Sequence, residues 1–143
     1  MRCAITVLVL LSALACRRAA TPAPAPSSFD AAVGAVTWTL VELEGRHPPI
    51  GAGGKSATIE FATGETRAAG FTGCNRFTTG YTVAPGMLRF EGTAMTRMAC
   101  PDGMELEQFY TKALEATERY EVSGDTLTFL GASGPLLKFK RGR

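Results

Sequence analysis

GDTLTFLGASGPLLKFK, residues 124–140, alternates apolar and polar side chains twice over. Leu127 and Phe129 share one face of the first run, Leu137 and Phe139 share one face of the second, and residues 131–134 turn between them. A period of two is the mark of a half-buried strand. The spacing therefore predicts strands over 126–130 and 136–140, with a further one over 120–122 ahead of the Ser123-Gly124-Asp125 turn. Working outward, Ala57, Ile59 and Phe61 alternate with Thr58 and Glu60, and residues 36–43 (VTWTLVEL) place Trp38 and Leu40 on one face. Residues 67–72 can pair back after the turn at Thr63-Gly64-Glu65, and 77–83, interrupted by Gly80, form a hairpin with 87–90 around Pro85-Gly86.

One segment changes period. Leu106, Phe109, Tyr110, Ala113, Leu114 and Thr117 fall at helical spacing, with Asp102 and Glu105 placed as a capping box and Arg119 near the end. Many short strands and one helix predict an α+β domain: a small, curved, mostly antiparallel sheet, an open or cracked barrel, with one α-helix closing one side. Closing or covering the sheet removes edges that would otherwise aggregate.

The start of the chain has a different character. Arg2 precedes an apolar run at 4–11 and then small residues, the layout of a secretory signal peptide over residues 1–15. The run is shorter than the roughly 20 apolar residues a membrane span needs. Ala13-Leu14-Ala15-Cys16 resembles a bacterial lipobox, in which Cys16 is acylated and becomes the first residue. Each buried CH₂ adds about 0.8 kcal/mol, and several chains on one cysteine anchor stably. Arg17 after Cys16 favours sorting to the outer membrane, with the domain facing the periplasm. Residues 16–34 are Ala- and Pro-rich, and the run RRAATPAPAPSS favours extended polyproline II, a tether reaching about 35–40 Å. The folded part is expected to begin near residues 29–36, with the domain itself over 35–141.

The chain carries a formal net charge of +2, and losing the leader with Arg2 leaves 14 bases against 13 acids. No Lys/Arg face stands out, so nucleic acid is not an expected partner. Of the four cysteines, Cys3 leaves with the leader and Cys16 is lipidated, leaving Cys74 and Cys100. In an oxidising compartment the two are expected to bridge. The loop of about 27 residues would contribute roughly 3.5 kcal/mol. A redox-active pair or two free thiols are the other readings, and no C-x-x-C is present. Gly73 and Gly80 bracket Cys74 and supply the bend that would bring it to Cys100.

GCNRFTTGY (residues 73–81), then MTRMAC (95–100), then an acid-led helix with Glu105 and Phe109, resemble the META domain, the HslJ-like family of bacterial envelope proteins. TWTLVELEG at 37–45 and GDTLTFLGASGPLLKFKR at 124–141 look like that family's two ends. The resemblance implies a small mixed β-sheet domain with one helix, lipid-anchored or periplasmic, and a link to heat-shock or envelope stress and antibiotic tolerance. It implies no defined reaction.

Two motifs fail on inspection. PIGAGGKS at 49–56 ends like a phosphate-binding loop, but Pro49 stands at the first glycine's place and a strand pattern follows instead of a helix. A flexible surface loop is expected there. His47 is the only histidine, too few for a structural zinc site needing about four Cys or His ligands. No nucleophile–base pair, metal set or cofactor site is expected. Asn75, Arg76, Thr96 and Arg97 flank the two cysteines, and a bridge would bring them together as a candidate ligand-binding site. Two guanidiniums there would suit an anionic group; the opposing expectation is a local turn bond at Asn75 and solvated arginines. The sequence thus predicts a monomeric, non-enzymatic binding module, its partner a lipid-like ligand or an envelope protein that it inhibits or escorts.

Overall fold

The period-two signal becomes the wall of a ring. The computed structural model describes residues 28–142. It contains β1 (Thr37–Leu43), β2 (Thr58–Phe61), β3 (Arg67–Phe71), β4 (Arg76–Ala84), β5 (Met87–Met95), β6 (Arg119–Ser123), β7 (Thr126–Gly131) and β8 (Gly134–Arg141). Each pairs antiparallel with the next, and β8 returns to β1. The inward positions are those the alternation marks: Trp38, Leu40, Ile59, Phe61, Leu127, Phe129, Leu137 and Phe139 are all buried. In β1 the parity slips, from Leu40 to Leu43, because the register against β8 shifts between Leu40 and Glu42.

The ring is not a regular barrel. β5 and β6 share a single residue pair, Met87↔Arg119. Extending that register would set Phe90 opposite Ala116 and Met95 opposite Thr111, but Thr111 lies within α2 (Met104–Glu115) and Ala116 is its C-cap. The chain that would complete the seam is coiled as helix, so β5 runs on without a second neighbour. β5 is also longer than the predicted 87–90, and Arg119 opens β6 instead of closing the helix.

Two helices fill the two mouths. α2 lays Leu106, Tyr110, Ala113 and Leu114 into one of them, where the Tyr110 hydroxyl donates to the Thr58 carbonyl at 3.2 Å. Phe109, expected on the buried face, is 45% exposed, and Glu107 is buried in its place. The predicted Asp102 cap is also absent. The N-cap is Gly103, in left-handed conformation at φ 102, with no side-chain cap bond. A side chain there would collide with the Gly73 carbonyl, 2.4 Å from an added Cβ, so close packing dictates glycine.

The other mouth holds α1 (Ser28–Val33), a short helix inside the stretch predicted as tether. Phe29 and Val33, four residues apart, share one face and are buried. Phe29 packs against Phe61, Tyr81 and Tyr120 with ring centroids 5.1, 5.6 and 4.7 Å away. Trp38 donates its indole N–H to the Val33 carbonyl at 2.9 Å, anchoring α1 to β1. The leader, Cys16 and the tether up to residue 27 lie outside the described residues.

Phe29→Ala should therefore cost about 3–5 kcal/mol in urea unfolding, against little change if residues 28–34 were part of a tether. Tyr81 gives a second test. Its hydroxyl donates to the Glu65 carbonyl at 3.0 Å and lies 3.4 Å from Asp30 of α1. Burial first, then the Asp30 charge, push its pKa up to about 12. A raised folded-state value means that this contribution is complete below the ordinary value of 10.0 and is lost as pH rises through about 12. Thermal melts should show stability falling across that window, and Tyr81→Phe should flatten that part of the profile.

Candidate functional site

Beside α2, the chain from Thr72 to Asn75 forms a buried turn. Gly73 takes φ 112, and an added Cβ would lie 2.7 Å from the Leu106 side chain. Glycine here lets helix and turn touch. The segment 49–56, expected to be a flexible surface loop, keeps Ile50 and residues 53–56 exposed but sets Gly51 and Ala52 into the same place. Gly51 is buried, and Ala52 donates its N–H to the Gly73 carbonyl at 2.6 Å. Residues 52–54 form one 3₁₀ turn, and β2 follows.

Cys74 and Cys100 are bridged, with Cα atoms 5.8 Å apart. Gly73 supplies a bend next to the bridge, whereas Gly80 serves a different purpose, sitting at the register shift between β4 and β5. Cys74 is buried, and the bridge ties the 72–75 turn to the segment between β5 and α2.

Asn75 extends that tie through its side chain. Its Oδ1 accepts from the Met98 backbone N–H at 2.7 Å and from the Thr96 hydroxyl at 2.9 Å. Its Nδ2 donates to the Met98 carbonyl at 3.1 Å and to Glu107 Oε1 at 3.1 Å. Both amide hydrogens and both oxygen lone pairs are thereby engaged. Glu107, in the first turn of α2, accepts from the Asn75 backbone N–H at 3.0 Å and from the Thr72 hydroxyl. Glu107 is 9% exposed and makes no ion pair with a described residue; hydrogen bonds and the positive end of the helix dipole satisfy its carboxylate.

The four residues singled out in the sequence thus divide. Asn75 and Thr96 meet, and their polar groups are turned on each other and on the backbone. Arg76 and Arg97 are exposed and line different hollows. Arg97 borders a concavity of about 620 Å³ between the end of β5 and the start of α2, together with Met95, Met98 and Met104. Arg76 borders one of about 960 Å³ on the outer face of β1–β3, near Lys55, Glu60 and Phe71. The geometry does not aim the two guanidiniums at one anion. Glu107 was absent from the sequence-based set, although an acid within the apolar stripe Leu106–Tyr110–Leu114 is a usable signal.

A family model, described as META domain, matches residues 31–143. The chain belongs to the META domain family. An NMR structure of a protein from Burkholderia xenovorans has a TM-score of 0.64 and 27% identity, covering 88% of this chain and 96% of its own. A second NMR structure has a TM-score of 0.59 and 24% identity, covering 76% and 90%, and shows the fold alone. No curated protein is similar enough to match. In this META domain, the cysteine-flanking motifs form a clamp joining a turn, a strand end and a helix.

Asn75→Ala would strip partners from Glu107 and from both backbone groups of Met98. It should cost about 3 kcal/mol in urea unfolding, and Glu107→Gln about 1–3. Arg76→Ala should stay within about 0.5 kcal/mol. Equal effects at all three positions would show that the clamp is not the stabilising unit.

Proposed function

We propose that this META domain is a non-enzymatic interaction module of the cell envelope. A lipid on Cys16 would hold it at the outer membrane, facing the periplasm, as a monomer without cofactor and with no affinity for nucleic acid. The link to envelope or heat-shock stress and antibiotic tolerance rests on the family resemblance alone.

The observation that carries the reading is the contrast between the clamp and its rim. The clamp's polar atoms bond to one another and leave no poised nucleophile or base. Met98, whose backbone N–H and carbonyl are both gripped by Asn75, nevertheless holds its side chain 59% exposed beside Met95 and Met104. A rigid backbone that presents flexible, polarizable side chains suits contact with another molecule. A polypeptide partner, such as an envelope enzyme or assembly that the module inhibits or escorts, is favoured over a lipid-like ligand. Trp38, Tyr110, Phe129 and Phe139 fill the ring at 0% exposure, where an acyl chain would otherwise lie.

A photo-crosslinking amino acid placed at Met98 in cells should give a discrete protein adduct, and one at exposed Glu121 on β6 should not. No adduct at Met98, or the same adducts at both positions, would remove the reading. The anchor is checked separately: Cys16→Ser should move the protein from the membrane to the soluble envelope fraction.

A further inference from the structure

The seam beside the methionines has a chemistry of its own, and it names the form of the partner. The last backbone bonds between β5 and the chain leading into β6 are Leu88 N–H to the Glu118 carbonyl at 3.1 Å and Tyr120 N–H to the Gly86 carbonyl at 3.2 Å. Beyond Met87, no described strand other than β4 pairs with β5. Just past its far end, Thr96 donates its N–H to the carbonyl of Arg76, the first residue of β4. Successive residues of a strand alternate in the edge their backbone groups face. Thr93 and Met95 therefore turn their N–H and C=O groups away from β4, toward the open side. Phe90 does the same at the near end, two residues beyond Leu88. Between them β5 carries an extra residue relative to β4 around Gly92, whose φ is 64. Residues 91–94 are all exposed.

Resting on the reading of this face as an interaction surface, we propose that the open edge of β5 at Thr93–Met95 takes an extended segment of another polypeptide as an added strand. Unmade backbone bonds define what completes them: a chain in β conformation, with its own donors and acceptors at the same repeat. The strand would cover about five residues, at about 3.3 Å each, from Phe90 to Met95. Its alternate side chains would fall into the 620 Å³ concavity, where Met95, Met98 and Met104 receive an apolar one. Arg97, on the same rim, makes no ion pair with a described residue and would favour an acid on the incoming segment. The clamp holds Met98 in place for this, so the groove is formed before the segment arrives.

The test leaves this protein unaltered and changes the ligand. A displayed library of random heptapeptides is selected on the mature protein, and the selected peptide is remade with N-methyl groups at alternate residues. Methylation on one parity should weaken binding at least tenfold, and on the other parity leave it unchanged. Binding should also slow amide exchange at Thr93 and Met95. Retained affinity with either methylation pattern would overturn strand addition while leaving the interaction reading to the Met98 crosslink. A library that yields no binder would overturn it too. Exchange at Thr93 and Met95 that slows with protein concentration alone would assign the edge to a second copy of this chain, which also overturns the proposal.

Discussion

The side-chain amide of Asn75 joins three parts of the chain: the 72–75 turn, the segment that follows β5 and the first turn of α2. Through its oxygen it takes the backbone of Met98 and the hydroxyl of Thr96; through its nitrogen it takes Met98 again and Glu107. Without it the segment between β5 and α2 would be joined to the 72–75 turn mainly by the disulfide. A disulfide fixes one point and leaves the chain free to pivot about it. The amide fixes orientation as well, because four hydrogen bonds to a planar group specify its plane. The start of α2 inherits its position from this plane through Glu107, and Leu106 then seats against Gly73.

Burying the carboxylate of Glu107 is the cost of that arrangement. An unpaired charge in a protein interior is expensive, and here no described arginine or lysine pairs with it. The Asn75 backbone N–H, the Asn75 side-chain amide, the Thr72 hydroxyl and a helix start compensate it instead. Such a set is satisfied only in the folded arrangement, which makes the cluster cooperative. It also makes the cluster self-contained, since no donor remains for an outside molecule. Recognition is left to the side chains around it.

What was legible in the sequence was what local periodicity records. Leu127, Phe129, Leu137 and Phe139 sit where alternation puts them, and the pairing of Cys74 with Cys100 follows from their being the two left over. The clamp was not legible, because its bonds join residues 21 to 35 positions apart and nothing in the order of letters marks a buried amide. β5 runs on past Phe90, where the apolar alternation stops, because Glu91, Gly92 and Thr93 form a bulge within the strand that a period of two does not mark. α1 was hidden by its neighbourhood. Phe29 and Val33 are only two apolar positions, and the Pro-rich run before them gave the stretch the composition of a linker. The capping box at Asp102 failed because contact between Gly103 and Gly73 decided the helix start before any cap could.

The ring has two mouths, and they are not equivalent. Phe61 and Tyr81 line the one that α1 plugs, while Thr58 and Phe77 lie toward the one that α2 covers. The described chain enters through α1, at Ser28, so anything upstream of it departs from the first mouth. The clamp and its methionine rim stand at the second. The domain therefore has a polarity along the ring axis: the described chain begins at the plugged mouth, and the open strand edge lies toward the opposite one.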